Sequence, residues 1–174
     1  MREGRLALIL GGARSGKSRF GLQWGEKIPG KRAFIATCQP LDAEMEERVF
    51  AHRKSRDASW ETVEEFDHLG GRIIKIRDQY QVLLVDCLTL WLSNRVLKEA
   101  GEREVEKEIA NLIGALSETR IPVALISNEV GLGIVPETPL GRRFRDLNGF
   151  LNQEIASISH EVFLVAAGIA LQMK

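Results

Sequence analysis

An apolar run from Leu6 to Leu10 breaks into the octet GGARSGKS, and an amphipathic, charged segment follows from Lys17. The octet fits G-x-x-x-x-G-K-[ST], with Gly11, Gly16, Lys17 and Ser18 in the fixed positions. Such a loop works only between a strand and a helix. Its glycines allow backbone angles that aim successive N–H groups inward at an anion, and the helix adds its positive N-terminal end. The pattern therefore predicts that Gly11, Gly12, Ala13, Arg14, Ser15, Gly16, Lys17 and Ser18 cradle nucleotide phosphates. Lys17 is expected on the β and γ phosphates, and the Ser18 hydroxyl on Mg2+.

The rest of the chain repeats the strand-then-helix theme. Near-continuous apolar runs recur at Leu6 to Leu10, Ala33 to Ala36, Val82 to Val85, Val123 to Ile126 and Val162 to Ala166, as buried parallel strands require. Helical periodicity falls between them, at Lys17 to Lys27, Asp42 to Lys54, Leu88 to Leu97, Glu104 to Leu116 and Leu140 to Ile158. This alternation predicts an α/β fold of the P-loop NTPase type, with a mostly parallel doubly wound sheet and helices on both faces. In the last helical segment Leu140, Phe144, Leu147, Leu151 and Ile155 form one apolar stripe, and Arg142, Arg143 and Arg145 point away from it. No repeat, low-complexity tract or linker divides the chain, so residues 1–174 are expected to form one domain.

Charge decides what kind of phosphate binding is at issue. Lys plus Arg equals Asp plus Glu at 24 each, which excludes a general attraction to nucleic acid or an acidic membrane and makes phosphate binding local. Cys38 and Cys87 have no paired-ligand spacing, so neither a zinc site nor a disulfide framework is expected, and reduced thiols fit a cytoplasmic protein. The apolar N-terminus reads as a first strand and not a signal peptide, because the glycine-lysine loop follows it directly. The run VFLVAAGIALQM is too short to span a bilayer.

A carboxylate on another strand should hold the same Mg2+, and VLLVDC supplies Asp86. The alternative is that Asp86 caps the helix starting near Leu88. A guanine-reading N-K-x-D motif is missing; SNEVG at residues 127 to 131 lacks its lysine and aspartate. From Asp42 a helix is expected on which Glu44, Arg48, His52 and Arg56 share a face. Positive neighbours disfavour protonation of His52, and a neutral imidazole among arginines can attack phosphorus. The alternative is a solvated helix end that includes a histidine. His68 and His160 lack that setting and read as surface or packing residues; Trp24, Trp60 and Trp91 read as core or interface residues.

GGARSGKSR, FIATCQPLDAEMEERV, HRKSRDASWETVEE, LLVDCLTLWLSN and SNEVGLGIVPETPLGRRFRDLNGFLNQ occur here in one order over nearly the whole chain. Together they resemble the bacterial adenosylcobinamide kinase/adenosylcobinamide-phosphate guanylyltransferases of adenosylcobalamin biosynthesis. The resemblance implies two reactions: phosphorylation of the aminopropanol hydroxyl of adenosylcobinamide, with GTP or ATP as donor, and transfer of GMP from GTP through a guanylylated histidine. The matching histidine is His52; Ala51 precedes it, so a single candidate stands there. It further implies nucleotide contacts at Thr37, Cys38, Gln39, Arg53, Lys54, Ser55, Arg56, Glu64 and Asp86, and a homotrimer with sites near subunit interfaces. NEVGLGIVPETPLG would shape a loop over a large substrate. The competing readings are a small-molecule kinase using only the phosphate loop and a nucleotide switch without catalysis.

Overall fold

The computed structural model describes residues 4–39, 58–98 and 102–174. Each expected apolar run is a strand: β1 (Leu6–Gly11), β2 (Arg32–Ala36), β4 (Val82–Asp86), β5 (Val123–Asn128) and β6 (Glu161–Ala166). Two further strands join them, β3 (Trp60–Glu64) and β7 (Ile169–Gln172). They form one sheet in the order β3-β2-β4-β5-β1-β6-β7, with β1 to β6 parallel and β7 antiparallel to β6.

The runs are continuous because both faces of the sheet are covered. Leu8, Leu83, Val85 and Leu125 enter a core with residues of α2 (Leu69–Ile76), α3 (Leu88–Leu97), α4 (Glu102–Glu118) and α5 (Pro139–Ile158), among them Ile73, Trp91, Leu112 and Leu151. Their sequence neighbours Ala7, Ile9, Leu84, Ala124 and Ile126 enter a second core with Trp24 of α1 (Lys17–Glu26), Phe34 and Trp60. The side-chain period of two thus serves both layers. Each fully buried Leu or Ile contributes about 1.5–3 kcal/mol relative to exposure.

Three elements lie outside the sequence expectation, each for a physical reason. WETVE carries no continuous apolar run, because β3 is an edge strand and its glutamates, Glu61 and Glu64, are exposed. The opposite edge, β7, exposes Ile169 and Leu171. In α2 the pair Gly70 and Gly71 dilutes the helical signal, although Leu69, Ile73 and Ile76 are buried on one face. The expected helix over Asp42 to Lys54 lies outside the described residues.

The apolar stripe of α5 is correct along its length but not at its start. Leu151 and Ile155 are fully buried and Phe144 and Leu147 pack on the core, whereas Leu140 is 48% exposed. The first turn of α5 has no core beneath it. All six parallel strands end at one edge of the sheet, where loops collect ligands in folds of this kind.

Candidate functional site

β1 delivers Gly11 to that edge, and the chain turns through residues 12–16 into α1. Arg14 and Gly16 adopt left-handed angles, with φ of 55° and 96°. Gly11 is fixed by crowding: a Cβ there would stand 2.5 Å from Val165 O and 2.6 Å from Ser15 Oγ. Ser15 N–H donates to Gly12 O at 3.3 Å, and Lys17 folds back so that Nζ donates to the same carbonyl at 3.0 Å. From behind, the turn between β6 and β7 braces the loop, with Gly168 N–H donating to Ser15 O at 2.8 Å.

This loop presents donors and almost no acceptors. No side chain caps α1, so its first-turn N–H groups await an acceptor, and the Ser15 hydroxyl is buried with no partner among the described residues. Lys17 is only 9% exposed and lies along the loop. An anion seated there would satisfy all of these groups.

Asp86 ends β4, pairs in register with Ile126 of β5, and points to the α1 face of the sheet, as Leu84 does. The capping alternative is set aside, since Cys87 is the N-cap of α3 and its Sγ accepts from Leu90 N–H at 3.4 Å. Burial pushes the Cys87 thiol up to about 12, with the Asp86 charge adding to the rise and Lys17 opposing it. Both charges therefore act on the same spot, and the thiol itself stays protonated and inert. Ser18 and Asp86 offer one hydroxyl and one carboxylate, the sparse oxygen set that suits Mg2+ when phosphate oxygens and waters complete its shell. Among the described residues no cluster of three or more His, Cys, Asp or Glu could hold a metal by itself.

The other expected contacts form a second group. Thr37, Cys38 and Gln39 leave β2, three strand positions from β1, or about 14 Å at ~4.8 Å per step. Glu64 ends β3 one strand farther out and is exposed. The Thr37 side chain is engaged within the protein. It is fully buried, and its hydroxyl accepts from Cys87 N–H and donates to Cys87 O, both at 2.7 Å. Asn94 Nδ2 donates to Thr37 O at 3.0 Å. Thr37 thus ties the end of β2 to the turn after Asp86. His52, Arg53, Lys54, Ser55 and Arg56 lie outside the described residues.

Sequence reasoning missed a buried polar cluster at the tip of β5. Asn128 N–H donates to Thr89 Oγ1 at 2.7 Å, and Asn128 O accepts from Nδ2 of Asn148 at 2.9 Å and of Asn152 at 3.1 Å. Ser127 Oγ donates to Asn152 Oδ1 at 2.7 Å, so the 3.2 Å contact between Thr89 and Ser127 has Thr89 as donor. The available signal was two asparagines interleaved with the apolar stripe of α5. Beyond β5, Leu132 and Ile134 are 84% and 94% exposed, and Arg142 Nη1 pins the returning chain by donating to Pro136 O and Glu137 O. A cavity of about 380 Å³ lined by Arg5, Arg120 and His160 lies at the opposite edge of the sheet and is not part of this site.

Comparison with known proteins adds a consistent set of likenesses. The profile of the family described as "Cobinamide kinase / cobinamide phosphate guanyltransferase" matches residues 7–173. The bifunctional adenosylcobalamin biosynthesis protein CobU of Escherichia coli K12 is 38% identical, over 97% of this chain and 99% of its own. The corresponding CobP of Pseudomonas aeruginosa is 41% identical, with 96% of each chain covered. The KaiC-like protein of Pyrococcus horikoshii OT3 superposes with a TM-score of 0.50 at 15% identity, over 93% of this chain and 71% of that one. This last likeness concerns the α/β P-loop fold alone.

Proposed function

The chain belongs to the cobinamide kinase/cobinamide phosphate guanyltransferase family, and on that premise we propose that it carries out both transfers with GTP, the second through a guanylylated His52. The observation that supports this most is the phosphate loop, with Lys17 seated in it and Asp86 on the same face of the sheet. In the first transfer the aminopropanol oxygen of adenosylcobinamide bonds to the γ phosphorus as the β,γ bridge breaks. The nucleoside diphosphate leaves, and the hydroxyl proton passes to water. ATP would serve this step equally well, because the loop reads phosphates.

In the second transfer a neutral imidazole nitrogen of His52 bonds to the α phosphorus of GTP and pyrophosphate leaves. A phosphate oxygen of the phosphorylated cobinamide then displaces the imidazole, giving adenosylcobinamide-GDP. Lys17 holds the phosphates in both transfers. Mg2+, when held by Ser18 and Asp86, would neutralise charge on the β and γ phosphate oxygens.

The test uses protein, Mg2+ and GTP labelled at the α phosphorus, without acceptor. Label that is released by acid and resists alkali is the expected result, and it should vanish in His52→Ala while phosphorylation of adenosylcobinamide persists. An adduct that survives in His52→Ala would assign the nucleophile elsewhere; no adduct in the wild type would leave a kinase alone. From the family resemblance we also propose a cytoplasmic homotrimer, so sedimentation should give three times the 19.5 kDa chain mass. No helix among the described residues is long and apolar enough to cross a membrane.

A further inference from the structure

We propose that Asn128 is a catalytic residue of the phosphoryl transfer: its carboxamide oxygen accepts a hydrogen bond from the attacking hydroxyl and holds that oxygen against the γ phosphorus. The proposal rests on the kinase reading above and gives a part in the chemistry to a residue that the resemblance places only at the start of the loop NEVGLGIVPETPLG.

Ile126 lies against α1, since a Cβ on Gly21 would be 3.1 Å from its Cδ1. Residue 128 is two positions further and on the same face, about 6.6 Å along the strand. That brings Asn128 level with the phosphate loop. Its register partner on β1 is Gly11, and Glu129 N–H donates to Gly11 O at 3.3 Å. On its other side is β4, whose last residue Asp86 faces α1 as well. Asn128 therefore stands between the loop and Asp86.

Its backbone is held unusually firmly. β4 has already turned into α3 at Cys87, so Asn128 N–H and C=O, which point toward β4, have lost their strand partner. Buried amides left unpaired are costly. Thr89 satisfies the N–H, Asn148 and Asn152 satisfy the carbonyl, and Ser127 links Thr89 to Asn152. Ser127 and Asn148 are fully buried, and Thr89 and Asn152 are each 5% exposed. This network fixes the direction in which the Asn128 side chain leaves the strand, as a catalytic group requires.

Asn128 Oδ1 is buried and has no partner among the described residues. A carboxamide oxygen in that position requires an O–H or N–H donor. Two sources of O–H reach a phosphate loop: the acceptor alcohol and water carried by a cation. We assign the alcohol. As it attacks, its oxygen bonds to the γ phosphorus, the β,γ-bridging P–O bond breaks, the nucleoside diphosphate departs and the proton goes to water. The amide is not basic and takes no proton; it orients the lone pair of the nucleophile.

The test compares Asn128→Leu and Asn128→Ala with wild type in two assays: phosphorylation of adenosylcobinamide, and guanylyl transfer to separately prepared adenosylcobinamide phosphate. In the kinase assay kcat should fall about a hundredfold, with KM for the triphosphate and the Mg2+ requirement unchanged. Guanylyl transfer, whose acceptor has its hydroxyl already esterified, should stay within about threefold. An equal loss in both assays, a raised Mg2+ requirement (the donor is then cation-bound water) or an unchanged kcat each overturns the assignment. Should the Asn128 variants not fold, Thr89→Val and Thr89→Ser decide: loss of the kinase rate with Val and its retention with Ser is expected, and equal rates refute. A wild-type protein that phosphorylates no adenosylcobinamide would instead refute the kinase reading itself, and the role of Asn128 with it.

Discussion

Gly11→Ala separates packing from ligand binding in the phosphate loop. The added Cβ would stand 2.5 Å from Val165 O, a backbone atom near the end of β6, and 2.6 Å from Ser15 Oγ. Ser15 can rotate away, but Val165 O cannot retreat without shifting the β1 and β6 pairing, in which Gly11 and Val165 are register partners. Overpacking of this kind costs about 1–3 kcal/mol, which for a chain of this length lowers Tm by roughly 2–12 °C. The loop takes up much of the shift, so Lys17 and the α1 N–H groups lose alignment, and displacements near 1 Å cost about a hundredfold in rate. Gly12→Ala is the control, because nothing lies within 4 Å of a Cβ there. Thermal melts without nucleotide should show Gly12→Ala within about 0.5 kcal/mol of wild type and Gly11→Ala clearly destabilised, with GTP failing to raise the Tm of the latter. Equal melting of the two variants would refute the packing argument; a Gly11→Ala protein still stabilised by GTP would refute its link to the phosphate site.

Lys17→Ala should slow both transfers by about a hundredfold or more, and near-normal rates in either would remove that transfer from the loop. Thr37→Val, which keeps shape and loses the hydroxyl that clamps Cys87, should raise the Mg2+ needed for half-maximal rate by freeing the turn after Asp86, while Thr37→Ser restores it; a matching titration for both variants counts against this. A thiol reagent at pH 8 should label Cys38, which is partly exposed, and spare Cys87, held protonated with its pKa at about 12; two labels on the native protein contradict the burial. Burial works against ionisation of Glu65, but the N–H groups of Asp67 and His68 and the Arg72 guanidinium prevail, so its pKa lies below the usual 4.5. Its contribution to stability is therefore present above about pH 4.5 and lost as pH falls through the lower folded value, and Glu65→Gln should show a flatter decline of Tm in acid; identical declines would place the acid sensitivity elsewhere.

What the sequence revealed and what it hid follow from how each residue is solvated. Strands buried on both faces are uniformly apolar and stand out, which is why β1, β2, β4, β5 and β6 were legible within a residue at most boundaries. Edge strands carry mixed surfaces, so β3 and β7 did not stand out. The loop was legible because its geometry restricts residue type: Gly11 admits no side chain and Gly16 needs a positive φ. Thr37 was placed by resemblance as a nucleotide contact, and its hydrogen bonds add that its hydroxyl ties the end of β2 to Cys87. Asn148 and Asn152 were hidden because a helix stripe is read by its apolar members, and a buried amide there looks like an interruption of the face.

Sheet order changes how the loop and Asp86 relate. Sequence reasoning expects Asp86, on another strand, to share one Mg2+ with the loop, and β5 lies between β1 and β4, so their strands are about 10 Å apart at ~4.8 Å per step. Whatever meets between them does so above the strand that separates them. The floor of the gap is the tip of β5. An apolar tip would leave the amide ends of β5 unpaired toward β4 and present nothing to the ligand. A polar tip held by Thr89, Asn148 and Asn152 meets the first requirement, and the orphaned oxygen of Asn128 answers the second. The insertion of one strand between loop and carboxylate thus explains why the cluster is buried, and two of its acceptors, Oδ1 of Asn128 and Oδ1 of Asn148, have no partner among the described residues.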